Sequence, residues 1–219
     1  MEPLSMKNLR DLVSIARGAF DENDSLICAG GAPRDIITGR PVRDIDLFVR
    51  MPADDYAEYA SDAFERCCHA LSGLLGADRK IKFYSPSANP ESGDDITDCA
   101  DIKPLRGSKF EGYTIQVIAL DRDPVDDVHN YDFALSQVFV TPNGHFCTGK
   151  HWHDLLSETI SYVDIPRSGA SMLRSAKRLL RLRAKYAGWQ FLNVAKHDEL
   201  LRALEGEQVG GVSIEEALA

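Results

Sequence analysis

The spacing of apolar and polar positions predicts an α/β chain. Stretches in which apolar residues recur at helical spacing are predicted helices: residues 6–20, a short stretch through Thr38, 54–75, 168–190 and about 194–204. Short apolar runs are predicted strands: 25–29, 43–49, 80–84 and 113–120, with a strand pair within 131–147 around the Asn143-Gly144 turn. The polar stretch 85–107 is predicted to be a loop. This order predicts an α/β head over residues 1–150, followed by a helical segment over 151–219.

Composition narrows the class of protein. The chain has 219 residues and is 44% hydrophobic, which is enough for a sizeable core and excludes a disordered or fibrous chain. No apolar run approaches the ~20 residues of a membrane helix, so we expect a soluble, cytoplasmic protein with no membrane partner. The net charge of −9 argues against a nucleic-acid partner, but the charge is uneven. Between residues 167 and 190 there are seven basic residues and no acidic one.

The five cysteines predict free thiols rather than a disulfide framework. Their number is odd, their spacing is irregular, and no pair has the C-x-x-C spacing of a zinc site. One zinc alternative remains on the sequence, because four possible ligands lie close together in the chain: Cys147, His145, His151 and His153.

The stretch AGGAPRDIITGRPVRDIDLFV, residues 29–49, carries the candidate chemistry. A predicted strand ends at Gly30-Gly31 and a helix follows, so backbone N–H groups at the helix start are placed to bind phosphate. Asp44 and Asp46 lie two residues apart on the next predicted strand and therefore share one face. Two such carboxylates can hold Mg²⁺ beside a phosphate, which is the arrangement needed for phosphoryl or nucleotidyl transfer.

Together these residues resemble the motif of the polymerase-β-like nucleotidyltransferases, in particular the bacterial-type CCA-adding enzymes and poly(A) polymerases. The family pattern runs GG-x-x-R-D, L-x-G and D-x-D-L. The matching residues here are Gly30, Gly31, Arg34, Asp35, Gly39, Asp44, Asp46 and Leu47. The resemblance implies a mixed-sheet head with helices, followed by a small helical neck.

The resemblance also implies roles for the matching residues. Gly30 and Gly31 would hold a nucleoside triphosphate, ATP or CTP, with support from Arg34. Asp44 and Asp46 would be the catalytic residues and would bind two Mg²⁺ ions. The ions would activate the attacking hydroxyl and stabilise the leaving pyrophosphate.

Two later stretches resemble the family more loosely. HNYDFALSQV, residues 129–138, occupies the place of the R-R-D-F-x-x-N-A motif, so Asp132 would help to position the sugar, or would simply cap a turn. The helix over 173–191 resembles the neck, whose basic residues reach the base and triphosphate, although a solvated basic face is the alternative. The basic candidates on it are Arg174, Lys177, Arg178 and Arg181.

The chain departs from the family at three places. Gln116 occupies the strand where a third carboxylate is expected, and Glu111 or Asp121 at the strand's ends could substitute. Ala170 and Ser171 lie near the place of the neck acids that choose between C and A in the CCA-adding enzymes, so the resemblance does not imply ordered CCA addition. In the family, body and tail domains that grip tRNA follow the neck, and we expect this sequence to lack them because it ends soon after the neck-like helix.

The sequence therefore predicts a Mg²⁺-dependent nucleotidyltransferase that transfers NMP from an NTP to an acceptor hydroxyl. The acceptor is expected to be an RNA 3′ end or tRNA, with a protein or a small molecule as alternatives. One competing hypothesis is a catalytically inactive nucleotide-binding or scaffold protein on the same fold. Another is a protein-interaction module whose D-x-D is only a strand edge. The oligomeric state is not indicated.

Overall fold

The computed structural model describes residues 3–20, 25–51, 57–76, 81–84, 96–163 and 169–208. Residues 54–56 of the predicted helix 54–75 lie outside these ranges, as does the end of the sequence beyond residue 208. Within them the helices are α1 (Met6–Ala19), α2 (Gly31–Ile37), α3 (Ala57–Leu74), α4 (Pro124–His129), α5 (Gly149–Ser157), α6 (Gly169–Lys185) and α7 (Val194–Gln208). The strands are β1 (Ile27–Ala29), β2 (Asp44–Arg50), β3 (Lys82–Tyr84), β4 (Ile96–Ile102), β5 (Thr114–Leu120), β6 (Val138–Thr141), β7 (Gly144–Cys147), β8 (Thr159–Ser161) and β9 (Gln190–Leu192).

Strands β1 to β7 form one mixed sheet in the order β3-β4-β5-β2-β1-β6-β7. Only the β2–β5 pair of this sheet is parallel, and its register sets Asp46 beside Gln116. The small β8–β9 pair is also parallel and stands apart from the main sheet. None of the helices in the described part of the chain combines the length and the apolar content that a membrane span requires.

The main core lies on one face of the sheet. Ile45, Leu47 and Val49 alternate along β2 and are fully buried against residues of α1 and α3. Because successive side chains of a strand point to opposite faces, this burial turns Asp44 and Asp46 to the other face. The sequence pattern of β2 therefore decides which side of the sheet carries the carboxylates.

A second core joins the end of the head to the C-terminal helices. Phe133 and Leu135, from the segment around the 3₁₀ turn Ala134–Ser136, pack with buried residues of α6 and α7. His197 of α7 is buried between the rings of Phe133 and Phe191, at centroid distances of 6.4 and 5.5 Å. The division of the chain at about residue 150 stays a prediction, since this core draws on both sides of it.

Most predicted elements are confirmed, with three differences. Part of the predicted loop 85–107 is wrong, because Ile96–Ile102 forms strand β4. The predicted helix over 168–190 ends at Lys185, and residues 190–192 form β9. Helices α4 and α5 and strand β8 were not predicted. In β4 polar residues interrupt the apolar ones, and pairing with β3 and β5 on its two sides stabilises it as a strand.

Candidate functional site

The two candidate catalytic carboxylates lie where β2 passes the Gly30-Gly31 turn. Ala29, the last residue of β1, pairs with Asp46 across the antiparallel β1–β2 ladder, so the turn that follows β1 lies next to Asp46. A Cβ built on Gly30 would stand 3.6 Å from Asp46 Oδ2. Gly30 has φ +78° and ψ −122°, a backbone conformation that residues other than glycine rarely adopt. The turn requires glycine at this position, and its backbone comes close to the carboxylate.

The carboxylate pair is electrostatically strained. The pKa of Asp46 is raised to about 7, chiefly by burial and next by the negative charge of Asp44, against the opposing effect of Arg178 and Arg34. A divalent cation would relieve both contributions, and two carboxylates beside a phosphate-accessible turn are a donor set that suits Mg²⁺. Asp44 and Asp46 therefore fit the metal that the sequence implies.

The expected third carboxylate is not brought to this pair. Gln116 lies beside Asp46 in the β2–β5 register. Glu111 Oε2 accepts a hydrogen bond of 2.7 Å from the Gly107 N–H in its own turn. Asp121 follows the end of β5 that pairs with Arg50, away from Asp44. Across the residues described, no three His, Cys, Asp or Glu side chains are grouped to hold a metal, so the substitution by Glu111 or Asp121 is wrong.

The lack of such a group among the described residues also concerns the predicted zinc site. Cys147, His145, His151 and His153 all lie in the described part of the chain and form no such group. His151 is instead buried, with its Nδ1 2.8 Å from the Leu135 carbonyl oxygen. The zinc hypothesis is therefore wrong for these residues.

Arg34 is held in a buried network below the glycine turn. Its Nε donates to Asp35 Oδ1 at 2.9 Å and its Nη1 donates to Ser136 Oγ at 3.0 Å. Burial alone would lower the pKa of Arg34, but Asp35 and Tyr186 outweigh it and the pKa is raised. A Cβ on Gly31 would meet Arg34 Nη2 at 3.8 Å. A fixed positive charge therefore lies directly beside the turn.

Asp132 joins the head to α6. Its carboxylate accepts hydrogen bonds from Ser175 Oγ at 2.9 Å and from Arg178 Nη1 at 2.5 Å. The charge of Asp132 raises the pKa of Arg178, with a further contribution from Asp46. Both contacts are made with side chains of α6, whereas a residue that only caps a turn contacts the backbone of that turn. Whether Asp132 also positions a sugar stays a prediction.

The four basic candidates of α6 share one face of the helix. With about 100° per residue, Arg174, Lys177, Arg178 and Arg181 fall within about 100° of arc. Burial lowers the pKa of Arg181, and the positive charges of Arg178 and Arg43 lower it further. Crowded cations of this kind are stabilised by an anion.

Arg183 does not lie on the face of α6 that carries these four basic residues. It lies on the opposite side of α6, where its guanidinium stands 5.3 Å from the Phe191 ring centroid. The uninterrupted basic run of the sequence is therefore not a single surface.

The residues that connect α2 with the end of α6 have no role predicted from the sequence. Asp35 accepts from Lys185 Nζ and from Tyr186 OH, the latter at 3.0 Å. The Tyr186 ring also receives the guanidinium groups of Arg34 and Arg40, at 5.8 and 5.5 Å from its centroid. Their signal in the sequence is the match of Asp35 to the family motif, because Lys185 lies within a general basic run.

Comparison with known proteins gives matches only among solved structures. No family model and no curated protein matches the chain. The Thermotoga maritima CCA-adding enzyme complexed with tRNA has a TM-score of 0.57 at 17% identity, covering 97% of this chain and 45% of that one. A CCA-adding enzyme in complex with CTP has a TM-score of 0.55 at 17% identity, covering 98% and 45%. A complex with ATP has a TM-score of 0.54 at 18% identity, covering 97% and 44%.

The comparison shows which fold the chain has. The chain has a mixed α/β fold similar to the one these CCA-adding enzymes have, which is the fold that the motif resemblance implies. These three solved structures are CCA-adding enzymes, and the chain spans a little under half of their length. At this identity the likeness concerns the fold, and the activity of this chain has to be argued from its own site.

Proposed function

We propose that this chain is a Mg²⁺-dependent nucleotidyltransferase that transfers NMP from an NTP to an acceptor hydroxyl and releases pyrophosphate. The observation that carries the proposal is the approach of Gly30 to Asp46, with 3.6 Å between a Cβ built on the glycine and the Asp46 Oδ2 atom. A phosphate lying against this turn would be next to the carboxylate pair. Phosphoryl-group chemistry needs that juxtaposition.

Each residue of the site has a part in this proposal. Asp44 and Asp46 would hold Mg²⁺, two ions in all. Bound Mg²⁺ would lower the pKa of the acceptor hydroxyl and neutralise charge on the leaving pyrophosphate. The Gly30-Gly31 turn would let the triphosphate approach the backbone, and Arg34 would supply a fixed positive charge beside it.

The α6 face would complete the nucleotide site. Arg178 is fixed by Asp132 and lies close enough to Asp46 for the two charges to affect each other's pKa. Arg181 is affected in the same way by Asp44, Arg178 and Arg43. We propose that Arg174, Lys177, Arg178 and Arg181 bind the triphosphate or base, and that Asp132 positions the sugar either directly or through Arg178.

An RNA 3′ end, tRNA in particular, is the acceptor that we propose. Two observations support it. The fold is that of enzymes named for CCA addition, one of which is solved with tRNA, and ATP or CTP accompanies others. The α6 face is also basic in a chain of net charge −9, which confines a polyanionic partner to this side.

The direct test is incorporation of label from each NTP into total cellular RNA with Mg²⁺. We expect labelled RNA with ATP or CTP, and loss of the label in the Asp44→Asn/Asp46→Asn variant. Asp121→Asn is the matched control, because it removes an exposed acid at the far end of β5 and should leave incorporation unchanged. Labelled protein or small molecule in place of RNA would correct the acceptor alone.

Gln116 beside Asp46 favours a second candidate, an inactive nucleotide-binding protein on the same fold. This alternative predicts Mg²⁺-dependent NTP binding by calorimetry without incorporation into any acceptor. A protein-interaction module predicts neither binding nor incorporation. The two measurements together therefore separate all three hypotheses.

A further inference from the structure

Three polar residues form a row across the sheet beside the carboxylate pair. Asp46 on β2 pairs with Gln116 on β5, and Gln116 pairs in turn with Asp101 on β4. Residues in register on neighbouring strands point to the same face, so all three side chains lie on the face that carries Asp44. Adjacent strands are about 4.8 Å apart, which puts the backbone of Asp101 about 10 Å from that of Asp46. Gln116 therefore lies between the two acids.

The side-chain amide of Gln116 is oriented by β4 and β3. Its Nε2 donates to Asp101 Oδ1 at 3.1 Å and to the hydroxyl of Tyr84. The Tyr84 hydroxyl in turn donates to Asp101 Oδ1 at 3.1 Å. Both amide donor contacts are thus made on the side of the sheet away from β2. Because Oε1 and Nε2 lie on opposite sides of one planar amide, an amino group turned toward β4 leaves the carbonyl oxygen for the side of β2 and Asp46.

We propose that Gln116 supplies a neutral oxygen ligand to the metal held by Asp44 and Asp46, with Asp101 and Tyr84 as its positioning residues. This inference rests on the proposed function and concerns how this chain forms its metal site. Amide carbonyl oxygens, like carboxylates, suit Mg²⁺, Mn²⁺ and Ca²⁺. Partners that fix the orientation of a ligand commonly decide much of the affinity for the metal.

The arrangement accounts for two observations together. No third acid joins Asp44 and Asp46 among the residues described. The acid nearest in register, Asp101, is engaged with the Gln116 amide. A neutral third ligand leaves the site with one negative charge fewer than three carboxylates would give, so we expect a weaker, more readily exchanged metal.

Binding of Mn²⁺ alone, measured from the paramagnetic resonance signal of the free ion, tests the proposal without any catalytic readout. Gln116→Leu removes the ligand and should weaken binding about tenfold or more. Tyr84→Phe removes one partner of the amide without changing charge and should weaken binding about tenfold. In the Gln116→Leu background Tyr84→Phe should have no further effect, because no amide remains to be oriented. Tyr113→Phe, immediately before β5, is the control and should bind like wild type.

A variant that should bind Mn²⁺ more tightly separates loss of a ligand from misfolding, because misfolding can only weaken binding. Gln116→Glu combined with Asp101→Asn restores a third carboxylate and retains a donor beside it, and should bind Mn²⁺ more tightly than wild type. Wild-type affinity in Tyr84→Phe, or equal losses from Tyr84→Phe with and without Gln116, would overturn the proposal while leaving the metal site intact. Loss of binding in Asp44→Asn/Asp46→Asn confirms that the measured site is the intended one. Absence of Mn²⁺ binding in wild type would instead refute the proposed function, and this inference with it.

Discussion

Asp35 of α2 forms an ion pair with the end of α6, and removing its carboxylate should destabilise the protein markedly. Asp35 is 3% exposed and accepts from Arg34 Nε, Lys185 Nζ and Tyr186 OH. Asp35→Ala leaves the Arg34 guanidinium, itself 9% exposed, without its counter-charge. The cost arises from an unpaired buried cation rather than from a lost surface attraction.

The magnitude follows from the burial of each partner. Breaking a buried ion pair from one side costs about 3–5 kcal/mol. The Lys185 side chain is 27% exposed and can turn to water, so the lower end, about 3 kcal/mol, is expected here. For a chain of this length that corresponds to a fall in Tm of about 6–12 °C. Urea denaturation followed by circular dichroism and a thermal scan measure both quantities.

Asp11→Ala is the matched control for Asp35→Ala. Asp11 also pairs with a lysine, Lys109, at 3.1 Å, but both side chains are exposed to solvent, at 37% and 66%. We expect a loss within about 0.5 kcal/mol for this surface pair. If the two variants lost similar amounts, under about 1 kcal/mol, the Asp35 cluster would not stabilise the contact between α2 and α6 and the argument from burial would fail.

Two further predictions concern the glycine turn and a buried histidine. Gly30→Ala should lower the free energy of unfolding, measured by urea denaturation, by about 1–3 kcal/mol, because φ +78° is strained for alanine. Gly31→Ala should be tolerated, and equal losses in the two variants would contradict this prediction. Burial lowers the pKa of His197, as does Arg183, against an opposing effect of Asp198. The unfolded chain then takes up a proton below pH ~6.5 that the folded chain resists, so stability should fall on acidification, by up to about 1.4 kcal/mol at pH 5.5. His197→Leu should reduce that fall between pH 7.5 and 5.5, and an unchanged fall would assign it to other groups.

The β6–β7 hairpin and the carboxylates of β2 are features that residues close together in the sequence predict. The Asn143-Gly144 turn predicts the β6–β7 pair because the residues that form the turn are adjacent in sequence. The face of Asp44 and Asp46 follows in the same way from the alternation along β2. Strand β4 was missed because its pattern is mixed and its partners lie elsewhere in the chain.

The sequence by itself determined the strand with its two carboxylates, the glycine turn before it and the basic helix near the end. Each of these depends on residues within about one element of one another, where local geometry decides. Only the tertiary structure decided that Asp132 fixes Arg178, that Asp35 joins α2 to α6, and that Asp101 orients Gln116 beside Asp46. Those contacts join residues of different elements, up to 150 positions apart, and depend on strand order and helix packing, which a single sequence does not specify.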